Sequence, residues 1–259
     1  MNILFIGDIF AATGRNIVSE YVGRIAAEHQ AELVIANGEN SAGGFGITPL
    51  IAEDMFSLGI HVLTGGNHSF DKKEIYDYHD RQPRLLRPHN YPGGLPGKGV
   101  FTGTTKMGTP FAVINLQGRA HMSNIDCPFQ AADRILAELD PVIKIRFVDF
   151  HAELTSEKVA MGWHLDGRAT AMIGTHTHIP TADSRVLPGG LAYQTDAGMT
   201  GPYDSVIGVE KETIVRRFLT GLPGRMEAAR GGAEFHGVVV TADPQTGKAS
   251  AIQRIRAAR

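Results

Sequence analysis

The stretch 171–178, Ala171-Met172-Ile173-Gly174-Thr175-His176-Thr177-His178, decides how the rest of this chain is interpreted. Its apolar beginning predicts a buried β-strand, and its polar end predicts a loop that opens where the strand stops. Histidines two positions apart on a strand would point to opposite faces, whereas on an irregular loop they can converge. Because neutral imidazole is the commonest protein ligand of transition metals, the loop predicts part of a metal site. The alternative is a polar loop with two unrelated histidines, and the pair by itself favours neither interpretation.

The chain upstream of this loop alternates apolar strands with amphipathic helices. Strands are predicted at 3–6, 33–36 and 61–63. Helices are predicted from about Arg15, from Thr48 with Pro49 in the first turn, and from Ser69 to about His79. Such alternation is typical of helices packed on a largely parallel sheet.

The second half of the chain predicts further strands and helices. Two hairpins are predicted, one from 100–104 and 111–116 and one from 235–242 and 249–255. Further strands are predicted at 143–150, 171–173 and 191–193, and helices at 128–139, from about 156, and around 214–219. No linker or repeat is visible, so we predict a single domain over residues 1–259. Within it, the glycine-rich segment 198–232 is predicted to fold over the site as a small lid.

Polar side chains with ligand chemistry recur at or just beyond the predicted strand ends. They are Asp8, Glu39, Asn67, His151, His176 and His178. In open α/β sheets, ligands bind beyond the carboxyl ends of the strands, so these side chains are expected at one rim. Each of them alone has an ordinary alternative, such as a helix cap, a solvated loop residue or a turn residue. Their shared position at strand ends favours one common site.

Composition excludes several classes of protein. The chain has 259 residues and a net charge of −2 without a basic block, which argues against broad nucleic-acid binding. Its single cysteine, Cys127, excludes a disulfide framework and a cysteine-rich metal site, and predicts a cytoplasmic protein. No segment approaches the roughly 18 apolar residues that span a membrane, and the apolar start lacks the features of a signal peptide.

The order of these motifs resembles the calcineurin-like metallophosphoesterases. The segments 66–68 (Gly-Asn-His) and 174–178 (Gly-Thr-His-Thr-His) are the most specific parts of the resemblance. Within that superfamily, the segments 38–40, 64–68, 149–158 and 195–202 resemble the bacterial YmdB-type phosphodiesterases, and this likeness covers nearly the whole chain. The resemblance implies an α/β sandwich of two β-sheets flanked by helices.

The resemblance also implies a site with two metal ions. Asp8, Glu39 and His178 would hold the first metal, and Glu39, Asn67, His151 and His176 would hold the second, with Glu39 bridging. Asn40 would lie close to the site or the substrate, and His68 would be the general acid.

The sequence departs from the wider superfamily at Phe10, which stands where most members have a histidine, and at Glu39, which stands where they have an aspartate. Oxygen and imidazole ligands favour iron or manganese and allow zinc, and the family implies iron or manganese.

The implied activity is hydrolysis of cyclic nucleotide phosphodiesters by a hydroxide that bridges the two metals. Substrates would be 2′,3′-cyclic nucleotides, with cAMP as a further candidate, and some phosphatase activity is expected. The partner is thus a small-molecule phosphodiester, and a homo-oligomer is left open.

Two rival interpretations remain at the level of sequence. A metal hydrolase that acts on amides or deaminates a base uses a His-x-His pair near its first strand, whereas here the pair comes late. A regulatory binding protein would keep the metal site with little turnover. The sequence does not distinguish such a binding protein from an enzyme, because metal binding and catalysis would depend on the same residues.

Overall fold

The computed structural model describes residues 1–258, whose strands form two sheets packed against each other. The strands are β1 (Asn2–Ile6), β2 (Asp8–Ile9), β3 (Ala31–Asn37), β4 (Val62–Thr64), β5 (Val100–Thr104), β6 (Pro110–Gln117), β7 (Ile145–His151), β8 (Ala171–Thr175), β9 (Arg185–Val186), β10 (Ala192–Gln194), β11 (Met199–Pro202), β12 (Ala233–Ala242) and β13 (Ala249–Ala258). The helices are α1 (Ala11–Glu28), α2 (Pro49–Ser57), α3 (Tyr76–Arg81), α4 (Pro128–Glu138), α5 (Thr155–Leu165) and α6 (Lys211–Thr220). A short 3₁₀ helix, Lys73–Ile75, precedes α3.

The first sheet has the order β2-β11-β12-β1-β3-β4, with β13 along the other side of β12, and the second has the order β5-β6-β7-β8-β10-β9. Strands β1, β3 and β4 are parallel, as are β6, β7, β8 and β10. The two predicted hairpins are confirmed as the antiparallel pairs β5–β6 and β12–β13. In each sheet, the loops that follow the parallel strands therefore leave from one edge.

Alternation along the strands explains the layered core. In β1, Ile3 and Phe5 pack against the second sheet, whereas Leu4 and Ile6 face the helices. The rings of Phe5 and Phe147 meet across the two sheets with centroids 5.0 Å apart. Burial of these side chains on both faces of each sheet fixes a four-layer arrangement.

The helices cover the outer faces of the sheets. Helix α1 buries the stripe of Ile17, Val18 and Tyr21 against the first sheet, and α4 and α5 pack on the second. At the start of α2, the Thr48 hydroxyl accepts a hydrogen bond from the Ile51 amide at 3.3 Å, as the predicted cap requires. The predicted α/β sandwich of two sheets flanked by helices is confirmed. None of the helices within residues 1–258 is long and apolar enough to cross a bilayer.

Two predicted helix starts were wrong. Helix α1 begins at Ala11, ahead of the predicted Arg15, because Gly14 lets the first turn approach β11: a Cβ at Gly14 would lie 2.3 Å from the Thr200 carbonyl oxygen. Ser69 does not cap a helix. Its hydroxyl donates to the Gly66 carbonyl at 2.7 Å and closes a turn instead, so regular helix begins only at Tyr76.

Candidate metal centre

All the predicted ligands lie beyond or at the carboxyl ends of parallel strands. Asp8 follows β1, Glu39 and Asn67 follow β3 and β4, and His151 is the last residue of β7. Strand β8 ends at Thr175, which pairs directly with His151, so the loop with both histidines opens beside β7. The topology thus gathers residues that are far apart in sequence at one rim.

The centre of the site is the Nε2 atom of His151. It lies 3.0 Å from Glu39 Oε1, 2.9 Å from Asn67 Oδ1 and 3.1 Å from His176 Nδ1. One ring N–H can be shared with only one of these atoms at good geometry, yet all of them are lone-pair donors typical of metal ligands. The ligand atoms of Glu39, His151 and His176 all lie within 4.8 Å of one another. This crowding of donor atoms fits a cation held by the second-metal residues.

A chain of hydrogen bonds orients His151. Its Nδ1 donates to the Thr175 hydroxyl at 2.9 Å, and that hydroxyl donates to Asp149 Oδ1 at 2.7 Å. Asp149 is fully buried at β7 and also accepts from Asn37 at 3.0 Å. Because Nδ1 carries the proton in the neutral ring, Nε2 keeps its lone pair toward the cluster, which is the arrangement usual for metal-binding histidines.

Charges in this buried site are strongly coupled. Burial opposes ionisation of Glu39, but the neighbouring His151 lowers its pKa to about 2. Burial also disfavours the charged form of His151, yet Glu39 and Asp8 raise its pKa to about 9. His176 has its pKa lowered to about 3 by burial and by the charge on His151. A metal that binds here at neutral pH would therefore displace a proton from His151.

Asp8 is the buried carboxylate with an unused oxygen. Its side chain is fully buried, and Oδ2 accepts a hydrogen bond from the His176 amide at 3.3 Å. Oδ1 has no hydrogen-bond partner among the described residues. Burial, with Asp196, Glu39 and Asp149 nearby, raises the pKa of Asp8 well above its ordinary value. Since a buried polar atom without a partner is costly, this oxygen fits a cation ligand.

The histidine loop has an unusual backbone. His176 and His178 have φ angles of 98° and 67°, in the left-handed region that non-glycine residues rarely adopt. Thr177 between them is held by Asp196, whose Oδ2 accepts from the Thr177 amide at 3.1 Å and from its hydroxyl at 2.7 Å. The chain thus turns twice, and neither imidazole is placed as it would be on a strand.

A buried ion pair supports that loop. Lys158 on α5 is fully buried, and its Nζ donates to Asp196 Oδ2 and to the Thr175 carbonyl, both at 2.7 Å. Asp196 Oδ1 accepts from the Gly198 amide at 2.8 Å, which satisfies the carboxylate further. Lys158 and Asp196 therefore connect the end of β8, the turn at Thr177 and the segment after β10.

His178 lies on the side of the site where the first metal is predicted. Its Nδ1 donates to the Ile207 carbonyl at 2.9 Å, which leaves Nε2 unprotonated in the neutral ring. Asn40 Nδ2 lies 3.1 Å from that Nε2 and donates to Glu39 Oε1 at 3.2 Å. Asn40 is thus interposed between Glu39 and His178, and the first-metal residues converge less closely than the second-metal residues.

The predicted general acid stands apart from the cluster. The His68 amide donates to Glu39 Oε2 at 3.2 Å, while its ring Nδ1 lies 2.7 Å from Asp71 Oδ2. The side chain of His68 is 27% exposed, so it faces the open side of the site. The carboxylate of Asp71 orients the ring through Nδ1 and leaves Nε2 free of that contact, as a proton donor to a substrate requires.

Gly66 provides the room for the cluster. A Cβ at this position would lie 2.2 Å from Glu39 Oε2 and 2.3 Å from His151 Nε2. Any side chain here would therefore occupy the space between the proposed ligands.

Sequence reasoning missed the supporting residues. Asp149 lies two positions before His151 on β7, so the period of the strand places both side chains on one face. Lys158 occupies the same face of α5 as Met161 and Leu165, which is the signal of a buried lysine. Glu153 Oε2 lies 3.1 Å from His176 Nε2, and only the structure reveals that contact.

The chain is similar to known proteins over nearly its whole length. The sequence profile of the family described as YmdB-like protein matches residues 4–255. The chain is 50% identical over 255 residues to the Bacillus subtilis 2′,3′-cyclic-nucleotide 2′-phosphodiesterase, covering 98% of this chain and 96% of the relative. It is 34% identical over 266 residues to a Mycoplasma pneumoniae putative phosphatase/phosphodiesterase, covering 99% of this chain and 92% of the relative.

Two crystal structures share the fold over the full length. A hypothetical protein from Thermus thermophilus superposes with a TM-score of 0.93 at 41% identity, covering 100% of this chain and 99% of that one. A structure described as a novel phosphatase of Mycoplasma pneumoniae superposes with a TM-score of 0.94 at 33% identity, covering 100% of this chain and 93% of that one. The resemblance drawn from the motifs is thereby confirmed.

Proposed function

Since this chain belongs to the YmdB-like protein family, we propose that it is a metal-dependent phosphodiesterase that hydrolyses 2′,3′-cyclic nucleotides. The observation that carries the proposal is the convergence of Glu39 Oε1, Asn67 Oδ1 and His176 Nδ1 on His151 Nε2 at 2.9–3.1 Å. Carboxylate, amide and imidazole donors of this kind suit a divalent metal, and a phosphodiester bond is hard to hydrolyse without concentrated positive charge. Calcineurin-like enzymes use such a site in the same α/β sandwich.

We assign the ligands to two metals as the family resemblance implies. Asp8, Glu39 and His178 would hold the first metal, and Glu39, Asn67, His151 and His176 the second, with iron or manganese preferred over zinc. When bound, the metals supply Lewis-acid charge at the phosphoryl group and make water a better nucleophile. The buried Oδ1 of Asp8, which has no hydrogen-bond partner among residues 1–258, and the cluster at His151 both support this assignment.

The protein's own groups contribute orientation and proton transfer. Asp149 and Thr175 fix the tautomer of His151, and the Ile207 carbonyl fixes that of His178. Asn40 donates from the floor of the site and would meet either Glu39 or a substrate oxygen. His68, paired with Asp71, would protonate the departing ester oxygen of the ribose.

Removal of metal should abolish the activity. We expect treatment with a chelator to reduce hydrolysis of 2′,3′-cyclic AMP to background, and added Mn²⁺ or Fe²⁺ to restore it, because the charge that stabilises the phosphoryl group is lost and regained. Turnover by product chromatography and metal content by elemental analysis of the same samples check this. Full activity in metal-free protein would exclude the proposal, and metal-loaded protein without turnover would favour a regulatory binding protein.

His68→Ala should slow poor leaving groups selectively. A nitrophenolate leaving group needs little protonation, whereas a ribose oxygen needs a proton from the general acid. We expect kcat for 2′,3′-cyclic AMP to fall about 10²- to 10⁴-fold, kcat for bis(p-nitrophenyl) phosphate to fall much less, and the metal content to stay unchanged. Steady-state kinetics on both substrates measure this, and equal losses on the two would refute the general-acid assignment.

The range of substrates extends beyond 2′,3′-cyclic nucleotides in this proposal. We propose that cAMP and phosphomonoesters are secondary substrates, in line with the Mycoplasma pneumoniae relative, which is described as a putative phosphatase/phosphodiesterase. The lid role of 198–232, the single-domain organisation, the cytoplasmic location and the oligomeric state stay predictions. In the structure, this segment contributes β11, α6 and the Ile207 carbonyl that contacts His178.

A further inference from the structure

An exposed aromatic ring lies beside the proposed general acid. Phe45 is 39% exposed, and its ring meets the ring of His68 edge to face with centroids 5.1 Å apart. Among the described residues, Phe45 joins none of the four apolar clusters that form the core. A single exposed apolar side chain is ordinary on a protein surface. Its place against His68, on the open side of the metal centre, is what requires an explanation.

The loop that carries Phe45 is fixed to the site. Gly43, Gly44 and Gly46 all have positive φ angles, between 75° and 99°, so the backbone of the loop turns tightly. The Gly44 amide donates to the Asn40 carbonyl at 3.1 Å, and the Ala42 amide donates to the Gly46 carbonyl at 2.9 Å. Phe45 is therefore presented by a closed loop whose base is Asn40, a residue of the proposed site. Its ring is held in place without being buried.

We infer that Phe45 is the stacking surface for the nucleobase of the substrate, an inference that rests on the proposed function. A cyclic nucleotide has an anionic phosphodiester, which suits the metal centre, and a flat aromatic base a short distance away on the ribose. If His68 protonates the ribose oxygen, the sugar must lie next to His68, and the base then extends toward the neighbouring ring of Phe45. Aromatic side chains bind bases by stacking, with a gain of about 1–3 kcal/mol per base.

Stacking makes a prediction about selectivity. A phenylalanine ring has no hydrogen-bonding groups and contacts only the π-face of the base, so every nucleobase should be accepted. Purines have the larger surface and should bind more tightly. Phe45 would thus distinguish nucleotides from other phosphodiesters rather than one nucleotide from another. The metal centre would act on the phosphodiester whichever base is attached.

Phe45→Ala tests the inference through the separation of KM from kcat. For 2′,3′-cyclic AMP we expect KM to rise about 5- to 150-fold, which corresponds to the loss of a 1–3 kcal/mol stacking contact, with kcat changed less than about threefold. For ribose 2′,3′-cyclic phosphate, which has no base, both constants should stay within about twofold of the unaltered enzyme. Phe45→Trp should keep the low KM for the nucleotide. Trp163→Ala, at an exposed aromatic residue (53%) on α5, is the matched control and should leave the constants for both substrates unchanged.

Other outcomes would overturn the inference. Equal losses of kcat on the nucleotide and the base-free substrate would show that Phe45 orients His68 rather than binding a base. Unchanged KM for both substrates would show that the ring does not touch the substrate. If the unaltered enzyme hydrolyses neither substrate, the proposed function fails, and calorimetric binding of adenosine 2′- and 3′-monophosphate to the unaltered chain and to Phe45→Ala still decides the role of Phe45. Equal affinities in that measurement would reject it.

Discussion

His176→Ala should remove one metal ion and nearly all phosphodiesterase activity while the fold is kept. His176 Nδ1 lies 3.1 Å from His151 Nε2 in the most crowded part of the site, and its Nε2 lies 3.1 Å from Glu153. A metal at a phosphoryl group contributes several kcal/mol to transition-state stabilisation, and each 1.36 kcal/mol is a factor of ten in rate. We therefore expect kcat/KM to fall roughly 10²- to 10⁴-fold. Elemental analysis should show about one metal fewer per chain.

Stability measurements separate this effect from misfolding. A ligand that binds only the folded state raises its stability in proportion to the logarithm of its concentration over Kd. Added metal should raise the melting temperature of His176→Ala less than that of the unaltered chain, while the metal-free proteins should melt at similar temperatures. His29→Ala, at a histidine where α1 ends, is the matched control and should behave like the unaltered chain. Full metal content in His176→Ala would refute the assignment of this residue as a ligand.

Lys158→Met should destabilise the protein strongly and disturb both metals together. The substitution preserves the length of a fully buried side chain but removes the charge that pairs with Asp196 at 2.7 Å. Breaking a buried ion pair on one side costs about 3–5 kcal/mol, because the remaining charge stays in the interior without its partner. The free energy of unfolding, measured in urea on metal-free protein, should fall by about that amount.

The loss of Lys158 should also weaken metal binding at the proposed site. Without it, the Thr175 carbonyl and Asp196 each lose a charged hydrogen-bond donor. Asp196 in turn anchors Thr177, which lies between His176 and His178. Since these histidines are assigned to different metals, the affinity for both should weaken. Loss of only one metal, with the other bound normally, would contradict this coupling.

Two further variants test whether the effect of Lys158 comes from the buried ion pair. Asp196→Asn combined with Lys158→Met removes both charges and should recover part of the stability, since the uncompensated carboxylate is gone. Lys211→Met removes the partner of Asp204 in an exposed ion pair and should cost far less stability than Lys158→Met, because exposed ion pairs contribute little. A similar loss in Lys158→Met and Lys211→Met would show that the buried pair has no special role.

The pattern of apolar residues made the fold predictable. The runs at 3–6 and 33–36 are apolar at every position because both faces of their strands are covered, one by the second sheet and one by helices. The predictions failed where tertiary contacts override local preference. Gly14, a poor helix former, lies in the first turn of α1 because only glycine fits beside the Thr200 carbonyl, and Ser69 closes a turn rather than capping a helix.

The candidate ligands could be predicted from the sequence, whereas the residues that support them could not. Asp8, Glu39, Asn67 and His151 could be found from sequence because each carries ligand chemistry at the end of an apolar strand. Their gathering at one rim follows from the parallel order of the strands. The roles of Asp149, Lys158 and Asp196 were not predictable, since these residues act through hydrogen bonds between segments distant in sequence.

Local patterns in the sequence are enough to predict the layered α/β fold, the rim where the strands end and the kinds of polar side chain that meet there. The reason is that strand periodicity and side-chain chemistry are local properties, which each segment carries wherever it is placed. The placement of the two histidines of 171–178 depends instead on tertiary contacts. Both have a left-handed backbone, Thr177 between them donates to Asp196, and a buried lysine on a distant helix donates to Asp196 as well. Contacts between remote segments have no local signal, and they set the geometry of the proposed metal site.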